Sequence, residues 1–434
     1  MVTIILGKVN NVLHTAYYSL FTGMECLDTK ERSTLDRPLE GIRVLSLTGA
    51  LFGPYCGLIL ADLGAEVIKV ERPGFGDMSR EWGPFFPNVQ GPDKSGYFVS
   101  IHRNNKGITL NLKDQKAKEI LKELVKKSDV LIENFKPGTM DEWGIGYSEL
   151  KKINPKLIYA TGSGFGQYGP YSKWPSYDII GQAMGGFMDL NGWPDKPPVR
   201  AGSSIGDIIS GMFLAIGILA ALRYREISGR GQMIDVAQVD SMIAVLENAV
   251  IRYTMEHKIP TRIGAKHPAI TPFDIFKAKD GYVVIAVGND GIWKRFCAAV
   301  GKPEWTNDPR FANNTLRCQN EAALKLLIED YTKDRTRWDI AKLLLANDVP
   351  SAPVYNVGEA IDDPHVKARE MIIELDQPQY GKVRVAGCPI KFSETPIKTF
   401  SPAPLLGQHT EEILSKLLGY NKSQIDDLKK AGAI

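Results

Sequence analysis

Asp207, in the stretch AGSSIGDIISGMF (residues 201–213), is the residue best placed to do chemistry. It precedes an apolar run from Ile208 through Leu222, and no further charge occurs before Arg223. An aspartate in that setting is a helix cap, a charge in a buried or membrane segment, or a reactive carboxylate. As a cap it accepts from the orphan N–H groups of the helix start and meets the positive end of the helix. The cap and reactive readings are compatible. A helix N-terminus keeps a carboxylate ionised while apolar neighbours strip its water, which suits attack on an activated carbonyl. Asp178, in PSYDIIG, is a second candidate with the same capping alternative, and Asp274 and Glu247 are weaker ones.

Other chemistries find less support. The five cysteines form no CxxC pair, and the six histidines form no HxxxH or HExxH pattern. A zinc or redox-disulfide site is therefore not expected, and a reducing, cytoplasmic setting is the simpler reading. GFGQYG (164–169) matches the dinucleotide fingerprint, but Pro170 and Pro175 stand where its helix should begin, so NAD is not expected either. Glu71 is placed as a ribose-binding acid would be, without the rest of that site. A net charge of +3 and a pI near 8.4 argue against nucleic acid as a partner. A local basic set still stands out: Lys69, Arg72, Arg80, Arg103, Lys106, Lys113 and Lys136. It reads either as a solvated surface or as a cluster for a phosphorylated, nucleotide-tailed ligand, since guanidinium groups suit phosphate geometry.

The elements that must position these residues follow from hydrophobic periodicity. GIRVLSLTG (41–49), GPYCGLILADLG (53–64) and AEVIKVE (65–71) read as strand, helix and strand, a βαβ unit that implies a parallel sheet. DQKAKEILKELVKKS is an amphipathic helix, and DVLIENF and PKLIYATG are further strands. An α/β, Rossmann-like, doubly wound large domain is expected over 38–240, with a linker at 241–264 and a smaller α+β domain at 265–350. A C-terminal segment at 351–434 returns to the large domain. Residues 1–37 read as an extension in which Met24 is an alternative start. Its MVTIIL is too short for a signal h-region, and it has no arginine before Arg32, unlike a mitochondrial presequence. The apolar run after Asp207 spans about fifteen residues, short of the roughly 20 that cross a bilayer, so a buried core helix is expected.

Taken in order, several stretches resemble the class III CoA-transferase family, which includes formyl-CoA and carnitine CoA-transferases and the α-methylacyl-CoA racemases. They are GPYCGLILADLGAEVIKVERPGFGDMSR, RNNKGITLNLK, DVLIENFKPGTMDEWGIGY, IYATGSGFGQYGPY, GDIISGMFLAIGILAAL, GRGQMIDVAQVDSM and PLLGQHTEEILSKLLGY. The resemblance runs from about residue 38 to the C-terminus. It implies that Asp207, in the Gly206-Asp207 pair, attacks an acyl-CoA thioester to form a mixed anhydride, which CoA thiolate converts to an aspartyl-CoA thioester. An acceptor carboxylate then takes the CoA. Backbone N–H groups of a glycine loop would steady the oxyanion.

The resemblance further implies Arg72 and Lys113 as CoA contacts, with Leu110, Asn134 and Phe135 lining the nucleotide. No prosthetic group is implied; the coenzyme A thioester is substrate. The expected assembly is an interlocked, ring-shaped homodimer without nucleic acid or membrane partners. Racemase relatives carry a His-Asp pair where this chain has Tyr177-Asp178, which favours transfer over racemisation. A racemase and a non-catalytic CoA-binding protein remain the alternatives. The chain departs from the formyl-CoA enzymes at Glu142, in place of a phosphate-side arginine, and at Leu51, in place of a glutamine. RIGAKHPAITPFDIF, which includes His267, replaces their tetraglycine loop, so oxalate is not the expected acceptor.

Overall fold

Alternation along the central strands explains how the molecule is layered. The computed structural model describes residues 36–434; of the expected extension, all but Asp36 and Arg37 lie outside the described residues. Strands β1 (Arg43–Leu47), β2 (Glu66–Glu71), β3 (Asn105–Thr109), β4 (Val130–Glu133), β5 (Ile158–Ser163) and β6 (Met233–Ala237) form one sheet in the order 3-2-1-4-5-6. Every neighbouring pair is parallel. This is the doubly wound, Rossmann-like α/β architecture expected. Because successive side chains point to opposite faces, Val44 of β1 and Ile132 of β4 join one core, while Leu45, Leu47 and Leu131 join the other.

Helices cover both faces. On the first lie α1 (Phe52–Asp62) and the long α5 (Ile205–Ser228). On the second lies α3 (Gln115–Lys126), where Ala117, Ile120, Leu121, Leu124 and Val125 form a buried stripe and Asp114 caps the first turn. Each fully buried leucine or isoleucine of that stripe contributes about 1.5–3 kcal/mol. The short α2 (Gly96–Ile101) precedes β3, α4 (Asp178–Met184) precedes α5, and α6 (Gln238–Ala244) and α7 (Ala249–Glu256) follow β6.

Helix α5 is longer than the apolar run predicted, at 24 residues. It buries one stripe, including Leu214, Ile218, Ala221 and Leu222, and exposes Met212, Phe213, Ile216 and Leu219 on the other side. By length and composition it is apolar enough to cross a membrane, with a mean hydropathy of 2.1 over its best window, half of which is buried. Its packing is set by Gly211. A Cβ there would lie 2.8 Å from the Phe52 carbonyl oxygen of α1, so only glycine allows the two helices this approach.

The chain then builds a second core. Antiparallel β7 (Phe273–Ala278), β8 (Gly281–Ala286) and β9 (Ser351–Pro353) pack with α8 (Asp290–Ala299), α9 (Glu321–Thr332) and α10 (Arg337–Leu345) around Phe276, Trp293, Phe296 and Leu344. A hairpin, β10 (Ile372–Gln377) and β11 (Gly381–Ala386), leads into the tail. There Ala403 packs on Phe98 and Val99, and α11 (Thr410–Leu418) and α12 (Lys422–Lys430) add Ile413, Leu414, Ile425 and Leu428 to the core beside α3.

Candidate active site

The strand order reverses between β1 and β4, and open α/β sheets bind ligands beyond the strand ends at such a point. Here those ends are tied together by Asn134. Its side-chain amide accepts from the Gly49 N–H and donates to the Gly49 carbonyl, both at 2.9 Å. Two cavities meet at this tie, with Gly49, Met78 and Phe135 in the walls of both. The first, about 350 Å³, is lined by Asp207, Gln238, Lys136, Trp174 and Tyr177 among others. The second, about 310 Å³, takes in Arg72, Leu110, Lys113, Asp77 and Trp143.

Asp207 stands at the third position of α5, and the cap expected of it belongs to another residue. Asp178, from the first turn of α4, accepts from the N–H groups of Gly206 at 2.8 Å and Asp207 at 3.4 Å. Two donated bonds from Gln182, at 2.8 and 3.0 Å, and one from Arg200 at 3.3 Å hold it there. Gly206 is the residue that admits it, since a Cβ at 206 would lie 3.0 Å from both the carbonyl oxygen and Oδ1 of Asp178. The Asp207 side chain is thereby free to line the first cavity, where its one described hydrogen bond comes from Gln238 Nε2. Nor does the helix end simply keep it ionised. Burial, followed by the Asp178 charge, pushes its carboxyl up to about 7 against the opposing hydrogen bond from Gln238. With its carboxyl at about 7 it is partly ionised at neutral pH, and the ionised form, poorly solvated, has the properties of a carboxylate nucleophile or base.

The residues expected at CoA divide between the cavities. Arg72, Leu110 and Lys113 line the second; Phe135 lines both; Asn134 lines the first, with its amide engaged by Gly49. The basic set separates in the same way. Lys69, Arg80, Arg103 and Lys106 are paired with Asp77, Glu71, Asp62 and Glu66. Arg72, Lys113 and Lys136 are exposed at the cavities. Glu71 grips Arg80 through both oxygens, at 2.7 and 2.8 Å, which leaves it no part in holding a ribose. Glu142 and Leu51 are in neither wall. His267 Nδ1 accepts from the Ala269 N–H at 3.1 Å, away from both cavities.

Two features escaped the reading of the sequence. Gln238, at the start of α6 just beyond β6, reaches Asp207. A polar residue following a strand end was the available signal. The other feature is the buried pair of Lys69 and Asp77 at 2.7 Å. Asp77 accepts from the N–H groups of Ala50 and Ser79, and Lys69 donates to the Thr48 carbonyl. Together they hold Ala50 at φ 65°, a left-handed turn between β1 and α1. Burial opposes the Asp77 charge, but the Lys69 ammonium, with the Ser79 N–H, overcomes it and holds the carboxyl well below its usual range. His102 itself stays neutral, driven down first by burial and then by Lys69. Among the described residues no cluster of three or more His, Cys, Asp or Glu is placed to hold a metal ion.

A doubly wound sheet whose switch-point crevice joins a cation-lined cavity to a desolvated aspartate defines the class: an α/β protein built for an anionic ligand carrying a reactive group. The family is more specific. The chain belongs to CoA-transferase family III, matched over residues 39–410, whose substrates are CoA thioesters. It is 41% identical over 399 residues to the succinyl-CoA:mesaconate CoA-transferase of Haloarcula marismortui, covering 90% of this chain and 99% of that one. It is 43% identical over 357 residues to the acetyl-CoA:oxalate CoA-transferase of Acetobacter aceti, covering 82% and 89%. The crystal structure of a CAIB/BAIF family protein from Brucella suis superposes with a TM-score of 0.79 at 41% identity, covering 88% of this chain and 100% of that one.

Proposed function

We propose that the chain moves CoA from an acyl-CoA donor of the succinyl-CoA kind to a dicarboxylic acid, with Asp207 as the covalent relay. The carrying observation is that the cavity of Asp207 shares three wall residues with the cavity of Arg72 and Lys113. A ligand with its phosphates on those cations and its acyl end beyond Gly49 would present its thioester to the carboxylate. Asp207 bonds to the carbonyl carbon as the C–S bond breaks and the pair leaves with CoA thiolate. The thiolate then adds to Asp207 Cγ, the donor acid departs, and an acceptor carboxylate reverses the sequence.

The two curated relatives differ in the donor they name, but mesaconate and oxalate are both dicarboxylates. Oxalate therefore belongs among the acceptors to test, although the missing tetraglycine loop argued against it. Lys136 supports the dicarboxylate reading: among the described residues it is the one Lys or Arg in the wall beside Asp207, available to a distal carboxylate.

Assembly as a homodimer is part of the proposal, supported by the apolar outer face of α5 and by the exposed Val250, Ile251 and Tyr253 of α7. The four described cysteines are unpaired, which suits a cytoplasmic setting. A matrix of acyl-CoA donors against mono- and dicarboxylic acceptors, read by mass spectrometry, tests the reaction. Asp207→Ala should abolish transfer while CoA still binds, and hydroxylamine added in turnover should mark Asp207. Undiminished transfer by Asp207→Ala would overturn the reading. Sedimentation velocity tests the dimer, and a monomer at micromolar concentration would refute it.

A further inference from the structure

We infer that Gln238 is a catalytic residue of this site, the hydrogen-bond donor to the aspartyl carbonyl through the covalent steps, and that Ser176 positions it. The inference rests on the reading of Asp207 as nucleophile. Gln238 is buried in the cavity wall, and its Nε2 donates to Asp207 Oδ1. The far end of the same amide is fixed as well, because Ser176 Oγ donates to Gln238 Oε1 at 2.6 Å. A glutamine amide can present either end. With Ser176 on its oxygen, this one presents N–H to the carboxylate.

The surroundings are shaped to hold this pair. A Cβ at Gly164 would lie 2.1 Å from Ser176 Cβ, and one at Gly181 would lie 2.8 Å from Gln238 Cβ. Gly164 is the first glycine of GFGQYG, so that motif here makes room for Ser176 rather than for a pyrophosphate.

The chemistry follows from which oxygen is engaged. With Oδ1 facing Gln238, Oδ2 is the free nucleophile and becomes the bridging oxygen of the anhydride. When thiolate adds to Cγ, the electron pair of the aspartyl C=O moves onto Oδ1, in front of the Gln238 N–H. It returns as the Cγ–Oδ2 bond breaks and the donor acid leaves with that oxygen. Attack of the acceptor on the aspartyl-CoA thioester places charge on Oδ1 again, with thiolate as leaving group. A fixed donor at a developing oxyanion is worth about 10²–10³ in rate.

The test uses Gln238→Met and Ser176→Ala in the full chain, with Asp207→Ala beside them. Gln238→Met should lower kcat about 10²-fold and leave the KM for acyl-CoA unchanged. It should also move the midpoint of the pH–rate profile upward, because a hydrogen bond that favours the ionised carboxylate is gone. Ser176→Ala should shift both in the same directions by less. In wild type given acyl-CoA without acceptor, the aspartyl-CoA adduct seen by intact-protein mass spectrometry should form rapidly; in Gln238→Met it should form about 10²-fold more slowly. Unchanged kcat and pH midpoint in Gln238→Met would overturn the assignment, as would an unaltered rate of adduct formation. If Gln238→Met does not fold, unaltered kcat and pH midpoint in Ser176→Ala would do so. An active Asp207→Ala would instead refute the nucleophile itself, so the two failures are distinct.

Discussion

Asp178, from the first turn of α4, caps the helix that carries Asp207, with its Oδ1 accepting the Gly206 and Asp207 N–H groups at 2.8 and 3.4 Å. One carboxylate thus satisfies the helix end, and the other is left to face the cavity. The arrangement couples them, since the negative cap opposes ionisation of its neighbour. If Asp207 acts as an ionised nucleophile with its carboxyl at about 7, kcat/KM should rise as pH increases through that value. Asp178→Asn keeps an acceptor oxygen for the helix and removes the opposing charge. Its pH–rate profile should therefore move toward acid, and an unmoved profile would refute the coupling.

The raised carboxyl of Asp207 has a consequence for stability too. It stands at about 7 against an ordinary 3.8, so between those values the folded chain holds a proton that the unfolded chain has released. Stability should consequently fall as pH rises from about 4 to 7, with a slope of up to about 1.4 kcal/mol per pH unit. Asp207→Asn should remove that slope and be more stable than wild type at pH 8. Thermal denaturation across this range checks it, and equal slopes in the two proteins would contradict it.

The pair of Lys69 and Asp77 makes a prediction about the loop between β1 and α1. Both side chains are buried, so removing one leaves the other charge unpaired in the interior. Lys69→Met should cost about 3–5 kcal/mol in urea denaturation. It should also weaken acyl-CoA binding, because Gly49, held through Thr48 and Ala50, lines both cavities. A loss of stability below about 1 kcal/mol would place this pair with ordinary surface pairs.

How far the molecule was legible follows from which interactions are local. The parallel sheet was readable because runs such as RVLSL and EVIKVE carry buried, strand-forming residues on both faces. Asp207 stood out as a candidate from its place before an apolar run, and the residues expected at CoA came only through the family resemblance. The capping assignment was not readable. Whether Asp207 or Asp178 caps α5 depends on how α4 docks, a contact between residues 178 and 206 that no local spacing encodes. Gln238 was hidden for the same reason, 31 positions from the carboxylate it touches. Nor could residue type separate Lys69 and Arg80, buried in ion pairs, from Arg72 and Lys113, which face a cavity.

That last division predicts two separable effects on substrate affinity. Arg72 and Lys113 line the cavity that adjoins the one containing Asp207, and Lys136 lines the Asp207 cavity itself. Charge-assisted hydrogen bonds are worth about 1.5–3 kcal/mol, so neutralising Arg72 or Lys113 with glutamine should raise the KM for acyl-CoA about tenfold or more. kcat should stay unchanged, because the proposed reaction takes place at Asp207, in the other cavity. The salt dependence of acyl-CoA binding should weaken in the same variants, as it reports exposed charges. Lys136→Met should instead raise the KM for a dicarboxylate acceptor and leave that for a monocarboxylate of equal length unchanged. Initial rates over a grid of both substrates distinguish these outcomes. If Lys136→Met impaired acyl-CoA and left the dicarboxylate unaffected, Lys136 would belong with Arg72 and Lys113 as a proposed CoA contact, and the acceptor would need another counter-charge.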